Sequence, residues 1–565
     1  MTGGQAGAEN NRDCRSSRPH RFAGVIRAVS AACALGILAI LAPPRPAHAL
    51  RFRISEDLVA DLDTTLTYAA AWRFEAPDAA LLSRANGDDG NRNFRRYDMT
   101  SNRFTVVSEA DIHYDNYGTF VRGKGFYDFA YAGHNANDSP STNNNGPVYG
   151  GPLADNRDFT GAVKRRYRED AELLDAYAYG LLRPAEHLLV FRAGRQVISW
   201  GESRFVPGIS STQSPVDATQ LNVPGVEIRE VLLPVAQLYA QVDVAEHLTL
   251  AAYYQFEWRQ TRLDEAGSYF GTTDYLDDGG YHYLVRAPLP APAFATVDRV
   301  DDDDPRDSGQ FGLALRYLAE ALNHTELGAY FITYHDKAPQ ILGQSSGGTT
   351  ATDWNAFGLP PETAASLARA DASSYFLGFA EDVRLYGLSV ATNIGQTSFG
   401  GEVSYREPIR VQVSDAGNVL GFSYDDADAL QVQASAVHRF NPSVLADSAT
   451  LTTEAGFNQV YGIPETKLLN DDLAWGYTST LTFEYFKILP GLDLSVPVTF
   501  RHNVSGVSSV PGTFSEGRNS TAVRMDLTYR YTWKLSLGYT EFVGGAKRNP
   551  LVDRGFLSSS LKYAF

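Results

Sequence analysis

From Leu62 onward the chain runs through segments of about ten residues in which apolar and polar side chains alternate. Successive side chains on a strand point to opposite faces, so each such segment predicts a strand with one oily and one wet side. Phe104, Val106, Ala110, Ile112 and Tyr114 share one face, against Thr105, Glu109, Asp111, His113 and Asp115 on the other. Val121, Tyr127, Phe129 and Tyr131 likewise oppose Arg122, Lys124 and Asp128. Leu248, Leu250, Tyr254, Phe256 and Trp258 oppose Thr249, Gln255, Glu257 and Arg259, and Val523, Met525, Leu527, Tyr529 and Tyr531 oppose Arg524, Asp526, Thr528 and Arg530. Eighteen strands are predicted, beginning near residues 62, 104, 118, 171, 188, 228, 247, 309, 323, 382, 396, 428, 447, 474, 491, 520, 534 and 555. Ala171 to Leu182 and Leu188 to Trp200 alternate poorly, which keeps sixteen strands open as the alternative.

A soluble sandwich would alternate too, so the connections decide. Tight turns such as Asn116-Tyr117-Gly118, Ala245-Glu246-His247, Asn393 to Gln396 and Leu489-Pro490-Gly491 are each followed by a longer polar loop. The longest loops span residues 75–103, 132–170, 260–308 and 339–381. Short turns at one end and long loops at the other describe an all-β, antiparallel transmembrane barrel of the bacterial outer-membrane type. On that topology the turns are periplasmic, and loops 75–103 and 260–308 lie outside the cell. The chain ends Leu557-x-Ser559-x-Leu561-x-Tyr563-x-Phe565. Tyr563 and Phe565 are therefore expected to be the signal read by the barrel assembly machinery, with outer-membrane lipids as the barrel's other partner.

The first 49 residues change the picture of the compartment. Arg12, Arg15, Arg18, Arg21 and Arg27 precede an apolar run from Ala28 to Ala42, then Pro43-Pro44 and the small residues of Ala47-His48-Ala49. This reads as a cleaved signal peptide, too short in its apolar run to be an anchor. The expected organisation is signal peptide 1–49 and a single barrel over 50–565, in the outer membrane of a Gram-negative bacterium. Both cysteines, Cys14 and Cys33, fall in the leader. A net charge of −17 argues against nucleic acid as a partner, because the phosphate backbone repels an acidic surface. With 44% hydrophobic residues, the chain is not a disordered one.

The wet face carries as many cations as anions. Arg122, Lys124, Arg192, Arg259, Arg316, Arg406, Arg439, Arg501, Arg524, Arg530 and Lys562 face Glu109, Asp111, Asp115, Asp128, Glu257, Glu320, Glu402, Glu454, Glu484, Asp493 and Asp526. Pairing across neighbouring strands is expected for most, and a balanced lumen argues against a strongly ion-selective pore. Residues 202–226 stand apart. Pro207, Pro215 and Pro224 exclude a regular strand there, yet the stretch holds Phe205, Val206, Ile209, Val216, Leu221 and Val223. An exposed loop would not carry so much apolar surface, so the segment is predicted to fold inward and narrow the lumen. Glu202, Arg204 and Asp217 would anchor it to wall charges, with Glu109, Asp111, Arg122, Lys124, Arg192, Glu257 and Arg259 as pore-lining or anchoring candidates. A cap over the barrel mouth is the alternative placement.

No catalytic set is legible: Asp111 with His113, or His502 with Arg501, lacks the third partner a nucleophile–base pair needs. No cofactor is expected. Asp301 to Asp304 and Asp88-Asp89-Gly90-Asn91 offer oxygen ligands but not the spacing of a calcium loop. They are read as a solvated run and a glycine-supported turn, with no metal site.

Asn86-Gly87-Asp88-Asp89-Gly90-Asn91, Tyr114 to Gly118, Asp170 to Ala176 and Gly194 to Ser203 follow in order, then Pro215-Val216-Asp217, Val223-Pro224-Gly225 and Leu232 to Val235. In these motifs the chain resembles the proteobacterial domain-of-unknown-function 1302 family. The resemblance implies an outer-membrane barrel encoded near efflux-type transporters and lipid-carrier-like proteins. It implies passage of small, often hydrophobic molecules, with a periplasmic carrier or inner-membrane transporter as partner, and it brings no catalytic residues. The other function in view is a structural or adhesive barrel that docks a periplasmic or extracellular partner.

Overall fold

A computed structural model describes residues 50–139, 142–144, 150–276, 278–286, 294–345, 356 and 359–565. The leader and its cleavage site lie outside the described residues. In chain order the strands are β1 (Leu50–Arg53), β2 (Leu58–Arg73), β3 (Met99–Tyr114), β4 (Tyr117–Asp128), β5 (Glu169–Leu182), β6 (Leu189–Gln196), β7 (Val235–Ala245) and β8 (Leu248–Gln255). Then come β9 (His282–Arg286), β10 (Phe294–Arg299), β11 (Gln310–Ala319), β12 (Thr325–Tyr334), β13 (Gln340–Ser345), β14 (Ser373–Gly378) and β15 (Val383–Ile394). β16 (Thr397–Ser414), β17 (Phe422–Phe440), β18 (Ser448–Tyr461), β19 (Leu473–Leu489), β20 (Leu492–Ser505), β21 (Asn519–Tyr529), β22 (Trp533–Val543) and β23 (Phe556–Ala564) complete the set.

Eighteen of these strands form one closed antiparallel barrel: β2 to β8, β11, β12 and β15 to β23. Each pairs with its neighbours in sequence, β8 pairs with β11, β12 pairs with β15, and β2 closes on β23 from Thr65↔Ala564 to Arg73↔Phe556. Closure leaves no unpaired sheet edge facing lipid, the condition for strands to cross a bilayer. The alternation is preserved in three dimensions. On β11, Leu313 and Leu315 are 45% and 43% exposed, while Ala314 between them is 1% exposed. On this strand the oily face looks outward and the other face is covered from inside. No helix among the described residues is long and apolar enough to cross a membrane, which says nothing of strands.

The chain's end takes part in closure. Phe565 exchanges backbone hydrogen bonds with Thr64, at 3.0 and 2.7 Å, and the rings of Trp533, Tyr563 and Phe565 stack in sequence at 4.4 and 5.3 Å. Short turns join most other strand pairs at this end, and residues 183–188 and 441–447 form its longer connections. Gly395 and Gly491 supply the left-handed backbone (φ 59° and 79°) that two-residue hairpins require.

Three differences from the sequence reading have physical causes. The strands β2, β3 and β17 begin four to six residues earlier than the alternation predicts, because backbone pairing, at Leu58↔Tyr114, Trp72↔Met99 and Ser414↔Phe422, continues past the alternating stretch. The strand expected from residue 228 begins at Val235 instead. A short helix, Ile228–Val231, occupies its place, with the side chains of Glu227 and Glu230 in reciprocal capping contacts. The loops 260–308 and 339–381 are not plain connections. β13, β14, β10 and β9 form a second, four-stranded sheet in that order, packed against the helix Pro361–Asp371. Its core holds Ala295, Val297, Leu367, Tyr375 and Leu377. Strands of five or six residues lie below the length on which alternation stands out.

Candidate functional site

Every barrel strand delivers alternate side chains to the interior, and around the barrel these differ in kind. On one side they form a charged ladder. Arg122 on β4 bridges Glu109 on β3 and Asp175 on β5, each at 2.7 Å. One rung away, Lys124 meets Glu230 at 3.2 Å and donates to Gln220 at 3.1 Å, and Arg103 donates to the same Gln220 oxygen at 3.0 Å. Glu172 on β5 receives both Arg259 and Arg262 at 2.8 Å. Glu257 pairs with Arg195 at 2.6 Å and accepts the backbone N–H of Ala236. Asp111 accepts from the Tyr179 hydroxyl at 2.8 Å. Arg192 instead lies over the ring of Tyr239, 4.5 Å from its centre. On the other side, from β7 and β8 through β11, β12 and β15, the inward positions are apolar: Tyr239, Tyr253, Ala314, Tyr330, Ile332 and Leu385 belong to one buried cluster.

The connection between β6 and β7, residues 197–234, meets both sides. Ile198, Trp200 and Ile209 pack into the apolar cluster, with the Trp200 ring 4.9 Å from Tyr253 and 6.1 Å from Tyr330. The backbone that follows is held by two carboxylates in mid-strand. Glu402 on β16 accepts the N–H groups of Glu202 and Ile209, both at 2.8 Å. Glu454 on β18 accepts those of Arg204, Phe205 and Val206, the first at 3.1 Å and the last at 2.7 Å. A carboxylate can take several such bonds because it has two oxygens and no hydrogen of its own. Glycine makes the grip on Glu402 possible. A Cβ at Gly208 would stand 1.7 Å from Glu402 Oε1, and one at Gly201, whose φ is +100°, 2.5 Å from Oε2. Gln431 and Gln433 donate to the carbonyls of Pro207 and Val206. Lys337 donates to the carbonyl of Thr212 at 2.8 Å.

The same connection then enters the charged side. Asp217 pairs with Arg262 at 3.2 Å and so joins the Glu172 cluster. Arg229 reaches Glu109 at 2.6 Å, and Glu227 pairs with Lys562 on β23. Between residues 221–227 and the inner faces of β21, β22 and β23 lies a cavity of about 410 Å³. Leu221, Val223, Pro224 and Val226 line one wall, and Arg524, Lys534, Ser558 and Lys562 line the other.

The structure thus gathers Glu109 and Arg122 in one cluster, and Lys124, Asp217 and Arg259 around Glu172 and Glu230 in the adjoining one. Glu202 and Arg204 meet the wall carboxylates Glu402 and Glu454 through their backbone N–H groups. The apolar side chains of the stretch are also not uniformly covered. Val206 and Ile209 are buried, whereas Leu221 is 59% and Phe205 36% exposed. Glu402 and Glu454 stand on the predicted wet face, but nothing in their local sequence marks them out from its other acids. The acidic run Asp301–Asp304 is exposed, with Asp302 paired to Arg299. His502 packs edge-on against Tyr477.

The family described as a protein of unknown function (DUF1302) matches residues 30–565. Among solved structures, the chain is similar to OccAB4 of Acinetobacter baumannii at 11% identity and a TM-score of 0.40, over 91% of this chain and 99% of that one. It is similar to a BenF-like porin from Pseudomonas fluorescens Pf-5 at 10% identity and a TM-score of 0.41, over 90% and 98%. A third is Pseudomonas aeruginosa OccK2 (OpdF) in complex with glucuronate, at 11% identity and a TM-score of 0.38, over 90% and 97%. No curated protein matches the sequence.

Proposed function

The chain belongs to the DUF1302 family, and we propose that it is an outer-membrane channel through which small molecules pass along a lumen narrowed by residues 197–234. One observation carries this reading: a connection bound to mid-strand wall carboxylates fills the apolar side of the barrel and borders a cavity on the charged side. A barrel whose role is to be a wall has no need of an internal segment held at that depth. The lining supports a cargo with an apolar body and a polar or anionic end. Leu221, Val223 and Val226 present hydrocarbon opposite Arg524, Lys534 and Lys562. The cations there are compensated by Asp526 and Glu227, which supports modest rather than strict charge selectivity. A periplasmic carrier or inner-membrane transporter is the partner such a route calls for, and the reading involves no catalysis. The exposed Asp301–Asp304 run favours the second reading, in which the loops dock a basic partner.

Liposome swelling tests the proposal. Vesicles bearing the purified barrel should admit small amphiphilic acids faster than neutral sugars of equal size. Swelling no faster than in protein-free vesicles, for every solute, would leave the docking reading in its place.

A further inference from the structure

Three loops that are distant in sequence meet in a buried cluster of oxygen atoms. Asp88 and Asp89 stand on the connection between β2 and β3, Asn143 and Asn144 on that between β4 and β5, and Asp274 on that between β8 and β11. One carboxylate oxygen from each aspartate lies within 4.8 Å of the other two. All five side chains are buried. Each carboxylate spends its Oδ2 on the protein. That of Asp274 accepts the N–H groups of Asp88 and Asp89 at 2.9 and 3.4 Å, that of Asp88 accepts from Arg92, and that of Asp89 from the Asn144 amide. The Oδ1 of each aspartate is buried without a hydrogen-bond partner, and so is the Oδ1 of Asn143 and of Asn144.

The unpartnered oxygens of three clustered aspartates, with that of Asn144 bound against Asp89, are not explained by the protein itself. A buried acceptor left unpaired is destabilising, and more so when it is charged. Arg92 brings one positive charge against three carboxylates. Burial pushes all three carboxyl groups above the ordinary carboxylate range, and repulsion from their neighbours adds to this for Asp89 and Asp274. The Asn144 amide nitrogen donates to Asp89, which brings its carboxamide, with the unpartnered oxygen, against that carboxylate. The loops also meet backbone to backbone. A Cβ at Gly87 would stand 2.5 Å from the carbonyl oxygen of Thr272, and one at Gly90 2.2 Å from that of Ser268.

We propose that Asp88, Asp89 and Asp274, with the carbonyl oxygen of Asn144, bind one calcium ion that clamps three long loops together at one end of the barrel. Calcium takes six to eight oxygen ligands at about 2.3–2.6 Å, so two oxygens on one ion stand no more than about 5 Å apart. The spacing of the three carboxylates meets that limit. The donors are all hard oxygens with neither imidazole nor thiolate among them, a set that suits calcium over zinc. Magnesium keeps most of its water and prefers fewer carboxylates.

The purified full-length barrel in detergent, stripped with EGTA, is titrated with calcium chloride by isothermal calorimetry, and its thermal unfolding is followed with and without the ion. One ion per chain and a raised melting temperature are expected. Asp274→Asn should weaken binding at least tenfold and lose the calcium-dependent rise. In EGTA that variant should melt no lower than wild type, since it removes a repelling charge, which separates lost binding from lost folding. Asp303→Asn, in the exposed acidic run, should bind as wild type does. The absence of heat and of a melting shift in the wild type would overturn the proposal, as would unaltered binding by both Asp274→Asn and Asp89→Asn. Equal affinity for magnesium would overturn the assignment to calcium.

Discussion

Glu402 and Glu454 are placed where a charge would ordinarily be a liability, in the interior of a membrane barrel. Each is compensated by backbone N–H groups, two for Glu402 and three for Glu454 among the contacts above. Hydrogen bonds to a charged acceptor are worth about 1.5–3 kcal/mol each, so these two side chains can fix an irregular loop that has no ladder of its own. Lys337 completes the hold from outside the strands. It is buried, its ammonium faces the carbonyls of Thr212 and His335, and burial lowers its pKa from 10.5 to about 8. Between about 8 and 10.5 the unfolded chain keeps a proton that the folded one has released, so folding stability rises with pH over that window. Thermal unfolding between pH 7.5 and 10 should show this rise in the wild type and a flatter profile in Lys337→Met. An equal rise in both would assign the effect to other groups.

At the scale of the element, the strand is a one-dimensional object, and its period of two is written in consecutive residues. Leu313, Ala314 and Leu315 show outward, inward and outward positions without knowledge of any partner strand. An arginine on the oily face near the bilayer midplane costs about 2–4 kcal/mol, while inward positions meet water or protein. Leu315→Arg should therefore reduce the yield of heat-modifiable folded barrel, and Thr480→Arg, on the wet face beside Thr499, should not. Equal yields would contradict the assigned faces. What could not be read from the chain is contact across the lumen or between loops. Glu454 is one acid among many on the wet faces until the barrel closes and brings Phe205 and Val206 to it. Asp274 lies 186 residues from Asp88, and no spacing rule joins them. The charged hold at Glu227, Arg229 and Glu230 was hidden for another reason. Its residues precede β7 directly, and an amphipathic run of that length is compatible with either a strand or a short helix.

At the scale of the whole molecule, the barrel has a packed side and an open side. The segment between β6 and β7 joins them, dry against Tyr253 and Tyr330 and charged against Glu109 and Lys562. The wall is continuous through hydrogen bonding from β2 to β23, and on the proposed reading the width of a path is set from within by this segment rather than by the strand count. Single-channel conductance in planar bilayers reads that width. Shortening residues 206–216, or combining Glu402→Gln with Glu454→Gln, should raise the unit conductance roughly twofold or more, because the segment no longer occupies the lumen. Unit conductance equal to wild type in both variants, with the barrel still folded and heat-modifiable, would contradict the claim that residues 197–234 form the constriction.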